Sequence, residues 1–506
     1  MRFTPAFLLL ATLLPAQDAE RRPPNIVFLF TDDHAPHAIS AYGSKVNVTP
    51  NIDRLANEGM LFRNSFCGNS ICGPSRATIL TGLHSHANGF RQNGDKFDGD
   101  QTTFPKLLQA AGYTTAMLGK WHLTSNPTGF DYWEVLPGQG VYYNPDLIGP
   151  NGKRRVEGYC TDVVTDLALD WLESTKESGK PFLLMCQHKA PHRPWHPGPL
   201  ELGMFEDATI PEPATLFDDH SSRGPAAAKH TMGVADHLLM AYDLQCPVDE
   251  KERLYGYWAN TRKRMNDAQR EAWDAAFAEE NEEFLASQPT GEALVRWKYQ
   301  RYMKNYLRCV AGVDRNIGRV LDWLDANGLR ENTIVVYSSD QGFYLGDHGW
   351  YDKRWMYEES FQMPLIVRWP GHARPGSTNT SLVQNIDYGP TFLSAAGVDV
   401  PATMHGRSLV PLLEGSTPRD WRQSVYYHYY ESNSEHTVPA HEGVRTSRYK
   451  LIHFYEEQNR YWELYDLEKD PEEMQNLADA PSAALVRAEL EAELARLKRQ
   501  YGVPGS

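Results

Sequence analysis

Asp32 and Asp33 stand side by side directly after the apolar run at 25–30, N-I-V-F-L-F. Adjacent carboxylates repel each other unless positive charge lies close by. A second oxygen-bearing pair, Asp340 and Gln341, follows the apolar run at 333–337. Two carboxylates from one strand end, with a carboxylate and an amide carbonyl from another, make an oxygen-rich cage. Such a cage suits a hard divalent cation, Ca²⁺ before Mg²⁺. Cys72 opens C-G-P-S-R at 72–76, in which Pro74 fixes a turn and the following A-T-I-L-T-G can begin a helix. A cysteine beside a helix N-terminus and Arg76 would have a lowered thiol pKa and serve as a thiolate nucleophile; a buried structural cysteine fits the segment equally. Lys120 and His122 follow the run at 114–118, and His188 follows the run at 182–186.

The elements that must hold these residues are legible in the same runs. The stretches at 25–30, 114–118, 182–186, 333–337 and 365–369 are apolar without alternation. That pattern suits strands buried on both faces, as in a parallel sheet. Helical spacing fills the intervals at 51–58, 104–111, 161–172 and 295–327. In the last of these Tyr302, Tyr306, Val310, Val313, Ile317, Val320 and Leu324 step by three or four, and Gly328 can stop the helix. Strands alternating with helices predict an α/β fold with a mostly parallel central sheet flanked by helices. Ligands in such folds bind beyond the carboxyl ends of the strands, so residues distant in sequence can meet at one sheet edge.

Two regions depart from this alternation. The stretch at about 197–291 is charged, contains Trp, and reads as a largely helical insertion that shapes the cleft. After 421 the runs at 425–430, 449–455 and 462–466 read as short strands. A charged helix at 483–501 follows, giving a small C-terminal antiparallel sheet with a helix. The expected division is a secretory signal at 1–19, a catalytic domain at 20–420 and a small subdomain at 421–506. The signal rests on Arg2, an apolar core at 7–14, and Ala16 and Ala19 as small residues before cleavage. It is too short to span a bilayer, and no membrane anchor is expected. A secreted or periplasmic protein is expected. The formal net charge of −15 disfavours nucleic acid and anionic membrane as partners. The six cysteines are scattered, which excludes a disulfide scaffold and zinc-finger spacing but is compatible with one structural disulfide.

The segment C-x-P-S-R with its trailing T-G resembles the signature of the type I sulfatases. The resemblance extends over most of the chain, to G-K-W-H at 119–122, Y-D-K-R at 351–354 and E-L-Y-D-L at 463–467. It implies an alkaline-phosphatase-like fold. It also implies that a maturation enzyme oxidises Cys72 to formylglycine, whose hydrate attacks sulfur with one hydroxyl and expels sulfate with the other. By the same resemblance Asp32, Asp33, Asp340 and Gln341 hold calcium together with residue 72, and Arg76 anchors the nucleophile. Lys120 and Lys353 stabilise sulfate oxygens, and His122 takes a proton during sulfate release. His188 or Lys353 protonates the leaving oxygen. Gln341 departs from the family, where many members carry Asn. The stretches H-K-A-P-H-R and D-K-R-W-M-Y-E-E-S resemble bacterial polysaccharide sulfatases, including those that remove 6-sulfate from N-acetylglucosamine. A sulfated carbohydrate is therefore the expected substrate, with His192, Arg193, Trp195 and Arg354 as contacts. A phosphonate or phosphate ester hydrolase of the same superfamily is the alternative enzyme. A non-catalytic glycan-binding protein is the alternative if Cys72 stays a thiol.

Overall fold

The unalternated apolar runs pair with one another at the centre of a ten-stranded sheet. The computed structural model describes residues 22–432 and 435–505, so the expected signal at 1–19 lies outside the described residues. Five strands run parallel, in the spatial order Thr333–Ser339, Asn25–Thr31, Phe182–Gln187, Thr114–Lys120 and Tyr132–Leu136. Strand Asn25–Thr31 is buried along its whole length, as doubly covered strands are. The margins reverse direction. Leu365–Arg368 pairs antiparallel with Thr333–Ser339, and the hairpin Asp146–Gly149 with Gly152–Arg155 closes the other edge.

Helix Glu292–Ala326 packs against Cys160–Thr175 and Pro50–Asn57, carrying the predicted apolar stripe into the core. It also controls the sheet edge. The hydroxyl of Tyr306 donates to the carbonyl of Asp33 (2.8 Å) and accepts from the amide of Ala35 (3.0 Å). That contact pins the turn in which Asp33 sits at φ +65°.

The stretch at 197–291 is helical only in its second part, at Val234–His237, Tyr255–Arg264 and Asp267–Ser287. Before Val234 it runs almost entirely through turns, with the short 3₁₀ turn Ala227–Lys229. Its prolines at 197, 199, 211 and 213 deny the backbone a continuous helix.

The C-terminal sheet has four antiparallel strands, Ser424–Tyr429, His441–Thr446, Tyr449–Phe454 and Tyr461–Asp466. Its two faces part company. Tyr427, Tyr429, Ile452 and Phe454 join the main core, while Tyr426, Val444, Leu451 and Leu464 are covered by Leu490, Leu494 and Leu497 of helix Ala484–Tyr501. All six cysteines are buried free thiols, so the structural disulfide does not form. Among the described residues no helix is long and apolar enough to cross a membrane.

Candidate active site

The carboxyl ends of the parallel strands converge on one buried cluster. Asp32 and Asp33 follow Asn25–Thr31, Asp340 and Gln341 follow Thr333–Ser339, and Lys120 ends Thr114–Lys120. Cys72 is the first residue of helix Cys72–Thr81, and Arg76 lies one turn further on. A carboxylate oxygen from each of Asp32, Asp33 and Asp340 lies within 4.8 Å of the other two. The Cys72 thiol stands in a second group of the same tightness with Asp32 and His192.

Three cations balance the three carboxylates. Lys120 pairs with Asp32, and Lys353 Nζ donates to both oxygens of Asp33 at 2.6 and 2.8 Å. Arg76 binds Asp32 Oδ2 at 2.9 Å and Asp340 Oδ2 at 3.0 and 3.2 Å. Its Nη1 donates to the carbonyl of Lys120 (2.6 Å) and to Gln187 Oε1 (2.7 Å). All five N–H groups of the guanidinium are thus directed at protein acceptors. Arg76 ties four strand ends together and adds charge through space, leaving no donor for a bound ester.

The donor set fits a hard divalent cation. Asp32 Oδ1 and Gln341 Oε1 are buried without a hydrogen-bond partner. Orphaned buried oxygens are costly unless a cation or water completes them. The longer Gln341 side chain is accommodated: its Nε2 donates to Asp33 Oδ1, which frees the carbonyl oxygen. Asp32, Asp33, Asp340 and Gln341 are oxygen donors throughout, as Ca²⁺ or Mg²⁺ requires.

Electrostatics assigns protonation states. Burial alone would raise Asp32, but Lys120, His192 and Arg76 hold it well below the usual carboxylate range. Burial, then repulsion from Asp32 and Asp340, pushes Asp33 up against the pull of Lys353. Burial, followed by the Lys120 charge, pushes His122 well below the usual imidazole range, so it is neutral. Burial also pushes the Cys72 thiol up to about 12. The thiolate expected beside a helix N-terminus is therefore absent, because loss of solvent outweighs the helix end and the nearby cations.

Two expected residues do not reach the cluster. Gln187 points its amide at Arg76, so by strand alternation Cys186 and His188 face the other side of the sheet. His188 indeed lies 3.7 Å from Cys186 Sγ, and its electrostatic neighbours are Asp162 and Arg319 on the covering helices. His192 takes its place, with Nε2 3.8 Å from Asp33 Oδ2 and 4.0 Å from Asp32 Oδ1. Its Nδ1 donates to the carbonyl of Arg193 (2.6 Å), which fixes the tautomer and leaves Nε2 facing the carboxylates. Trp195 is wholly buried among Tyr302, Phe343 and Tyr351, so it is a core residue and no stacking platform.

Arg193 and Arg354 line the cavity in front of Cys72. Both are held rigidly, Arg193 by a bidentate pair with Asp243 (2.5 and 2.7 Å) and Arg354 by Glu431 (2.8 Å). Asn93 also stands at the cavity, its Oδ1 accepting from the amide of Gly73 (3.1 Å). So do Gln139, which accepts from Lys120 Nζ, and Asp352, which pairs with His436 at 3.1 Å. Asp352 sits inside Y-D-K-R and is legible there; Asn93 and Gln139 lie in loops without a spacing signal.

Residues 24–398 match the sulfatase family, and residues 346–500 match the C-terminal region of N-sulphoglucosamine sulphohydrolase. The chain is 48% identical to an N-acetylglucosamine-6-O-sulfatase of Bacteroides thetaiotaomicron, over 98% of this chain and 90% of that protein. It is 27% identical to the human N-acetylglucosamine-6-sulfatase, over 91% of this chain and 82% of that protein. A solved structure in complex with its substrate, D-glucosamine-2-N,6-O-disulfate, superposes with a TM-score of 0.92 at 47% identity, covering 96% of this chain and 99% of that one. A phosphonate monoester hydrolase from Silicibacter pomeroyi shares the fold at a TM-score of 0.69 and 22% identity.

Proposed function

The chain belongs to the sulfatase family, and from that premise we propose that it removes the 6-O-sulfate of N-acetylglucosamine in a sulfated glycan. The observation that carries this reading is the placement of Cys72, at the start of its helix, beside a buried cage of three carboxylates and three cations. The substrates named for the 48%-identical relative and for the superposed complex support the sugar and the position.

Asp32, Asp33, Asp340 and Gln341 would hold a calcium ion, which when bound supplies a Lewis acid for a sulfate oxygen. Converted to formylglycine, residue 72 supplies a hydrated aldehyde, one hydroxyl of which accepts the sulfuryl group while the other later expels it. The chain's own residues do the rest. Asp32, Asp33 and Asp340 are matched in charge by Arg76, Lys120 and Lys353, so any bound divalent cation leaves the pocket with a positive surplus. That surplus stabilises an anionic ester and the charge that grows on its oxygens. Lys120 and Lys353 clamp those oxygens. Neutral His122 accepts the proton released when sulfate leaves. Lys353, held protonated by Asp33, supplies the proton needed by the leaving sugar oxygen as the alternative to His188, while His192, neutral with its proton on Nδ1, lines the pocket with Nε2. The 1–19 segment would direct the chain out of the cytoplasm as a secreted or periplasmic enzyme.

The test is joint. Protein made with a formylglycine-generating enzyme should give a Cys72 tryptic peptide about 18 Da lighter than the thiol peptide, since other oxidation products add mass. It should release sulfate from N-acetylglucosamine 6-sulfate, and Cys72→Ala should abolish release. A Cys72 peptide that keeps its thiol mass in the native host would sink the mechanism and favour glycan binding without turnover. Hydrolysis of a phosphonate monoester in preference to the sulfate would move the chain to the alternative branch. Sequencing the N-terminus of the exported protein checks the cleavage near residue 19.

A further inference from the structure

The cavity in front of Cys72 opens into a second and larger one. The inner cavity has a volume of about 150 Å³. The outer one has about 450 Å³. Gln139, His192, Arg193, Tyr242 and Leu254 line both, so the two form one continuous cleft.

One wall of the outer cavity is helix Tyr255–Arg264 of the insertion. Tyr257, Asn260, Thr261 and Arg264 line the cleft at spacing i, i+3, i+4 and i+7, which is one face of a helix. None of the helix's ten residues is buried. A surface helix normally turns an apolar stripe inward; this one turns a phenol, an amide, a hydroxyl and a guanidinium toward a cavity. Arg264 is accounted for by its pair with Asp146 (3.3 Å) and its bond to the carbonyl of Asn144 (2.6 Å), and the Thr261 hydroxyl donates to the carbonyl of Tyr257 (3.1 Å); packing does not account for Tyr257 and Asn260. Tyr257 is 65% exposed, an unusual position for a large aromatic ring, and it stands edge-on to Tyr242 at 6.3 Å. The opposite wall holds Lys189. Its ammonium donates to the carbonyl of Arg193 and lies 4.9 Å from the Tyr142 ring, but it pairs with no carboxylate among the described residues. The charge of Arg193, by contrast, is cancelled by Asp243.

We propose that this outer cleft is a second sugar site, which holds the residue joined to the sulfated sugar and favours a neighbour carrying an acidic group. The inference rests on the sulfated-glycan reading above. Tyr257 and Tyr242 offer ring faces to a pyranose, Asn260 and Thr261 offer hydrogen bonds to its hydroxyls, and Lys189, in direct contact with no carboxylate among the described residues, supplies positive charge at neutral pH even though burial lowers it to about 8. An enzyme built this way prefers an oligosaccharide to the isolated monosaccharide.

The test compares kcat/KM of the mature full chain on N-acetylglucosamine 6-sulfate and on two disaccharides in which that sugar is extended by a hexuronic acid, at C1 in one and at C4 in the other. At least one disaccharide should be preferred by about tenfold, the effect of one good aromatic contact. Tyr257→Ala should bring the disaccharide-to-monosaccharide ratio close to one, and Tyr257→Phe should keep it. The exposure of Tyr257 makes both variants safe for folding. Monosaccharide turnover with no preference for either disaccharide, or a preference that survives Tyr257→Ala, overturns the second site alone. Failure of the wild type on all three substrates overturns the glycan reading, and the second site with it.

Discussion

Arg76 shows how a residue can govern chemistry that it does not touch. With every N–H directed at Asp32, Asp340, Gln187 and the carbonyl of Lys120, its task is to hold two like-charged carboxylates at one point. Arg76→Ala should therefore cost stability, about 3–5 kcal/mol, because it strands buried charges. Arg76→Lys restores the charge without the fork and should recover stability only in part. Denaturant titration reads the loss, and in both variants kcat should fall more than KM changes. Gln341 invites a different experiment. If its free carbonyl oxygen is a ligand, Gln341→Leu should weaken calcium binding by about 10–100-fold, the range typical of a damaged metal site. Gln341→Asn should recover part of it. Calcium-dependent thermal stabilisation is the readout, so catalysis is not needed; equal calcium responses in wild type and Gln341→Leu would remove Gln341 from the site. Asp32, Cys72 and Lys120 were legible in the sequence because each sits at the end of an apolar run or the start of a helix. The histidine was misread because proximity to a strand end says nothing about which face a side chain takes. Gln187, Cys186 and His188 obey the two-residue alternation, and counting from Gln187 would have sent His188 away from the site.

At the scale of elements, strands covered on both faces announce themselves, and strands held by their neighbours do not. The central runs were readable because burial on both faces demands continuous apolar sequence. Strand His441–Thr446 has the sequence H-E-G-V-R-T and was missed, since its place is fixed by pairing on both edges. Its Gly443 has no room for a side chain, with Met356 Sδ 2.4 Å and the carbonyl of Leu451 2.5 Å from where a Cβ would lie. The long helix was readable from its stripe, but its functional contact was not, because Tyr306 looks like one more core aromatic. Tyr306→Phe keeps the ring and deletes only the hydroxyl that bridges the Asp33 carbonyl and the Ala35 amide. Leaving those buried groups unmatched should cost about 1–3 kcal/mol. The Asp33 turn should loosen, so the variant should also need more calcium for the same thermal stabilisation. A stability loss with unchanged calcium response would mean that the helix supports the fold but does not tune the site.

Over the whole molecule, the C-terminal sheet and helix dock on the catalytic core through a seam rich in imidazole. The rings of His84, His86 and His405 lie 5.6–6.1 Å apart, with Tyr501 of the terminal helix 4.5 Å from His84. The carbonyl of Tyr501 also accepts a hydrogen bond from His86 Nε2 (2.8 Å). Burial, followed by the neighbouring imidazoles, pushes His84 well below the usual range and His405 to about 4. The charged groups nearest the seam offer no relief: Arg422 is engaged with Asp387, and Arg91 adds positive charge beside His86. A histidine with a depressed folded pKa is neutral in the native state but protonates in the unfolded chain below about 6.5. The unfolded state then binds more protons, so stability is lost as pH falls from about 6.5 toward the folded value. Carboxylates such as Glu442, held down to about 2, keep their contribution until well below pH 5, whereas Glu473, raised to about 7, opposes the loss by the share of one proton. His348, raised to about 9, is protonated in both states below 6.5 and adds no slope there. Between pH 6.5 and 5 each fully shifted imidazole forfeits about 2 kcal/mol, so His84 and His405 together should cost about 3–4 kcal/mol. Thermal midpoints should fall over the same range, and hydrogen exchange should rise first in helix Ala484–Tyr501. His84→Gln with His405→Asn should reduce the slope by the share of those two imidazoles, leaving that of the other buried histidines held low, among them His34, His196, His230 and His428. A pH-independent midpoint, or one unaffected by the double variant, would mean that the seam stays closed when acidified and that the two layers are held by Leu490, Leu494 and Leu497 alone.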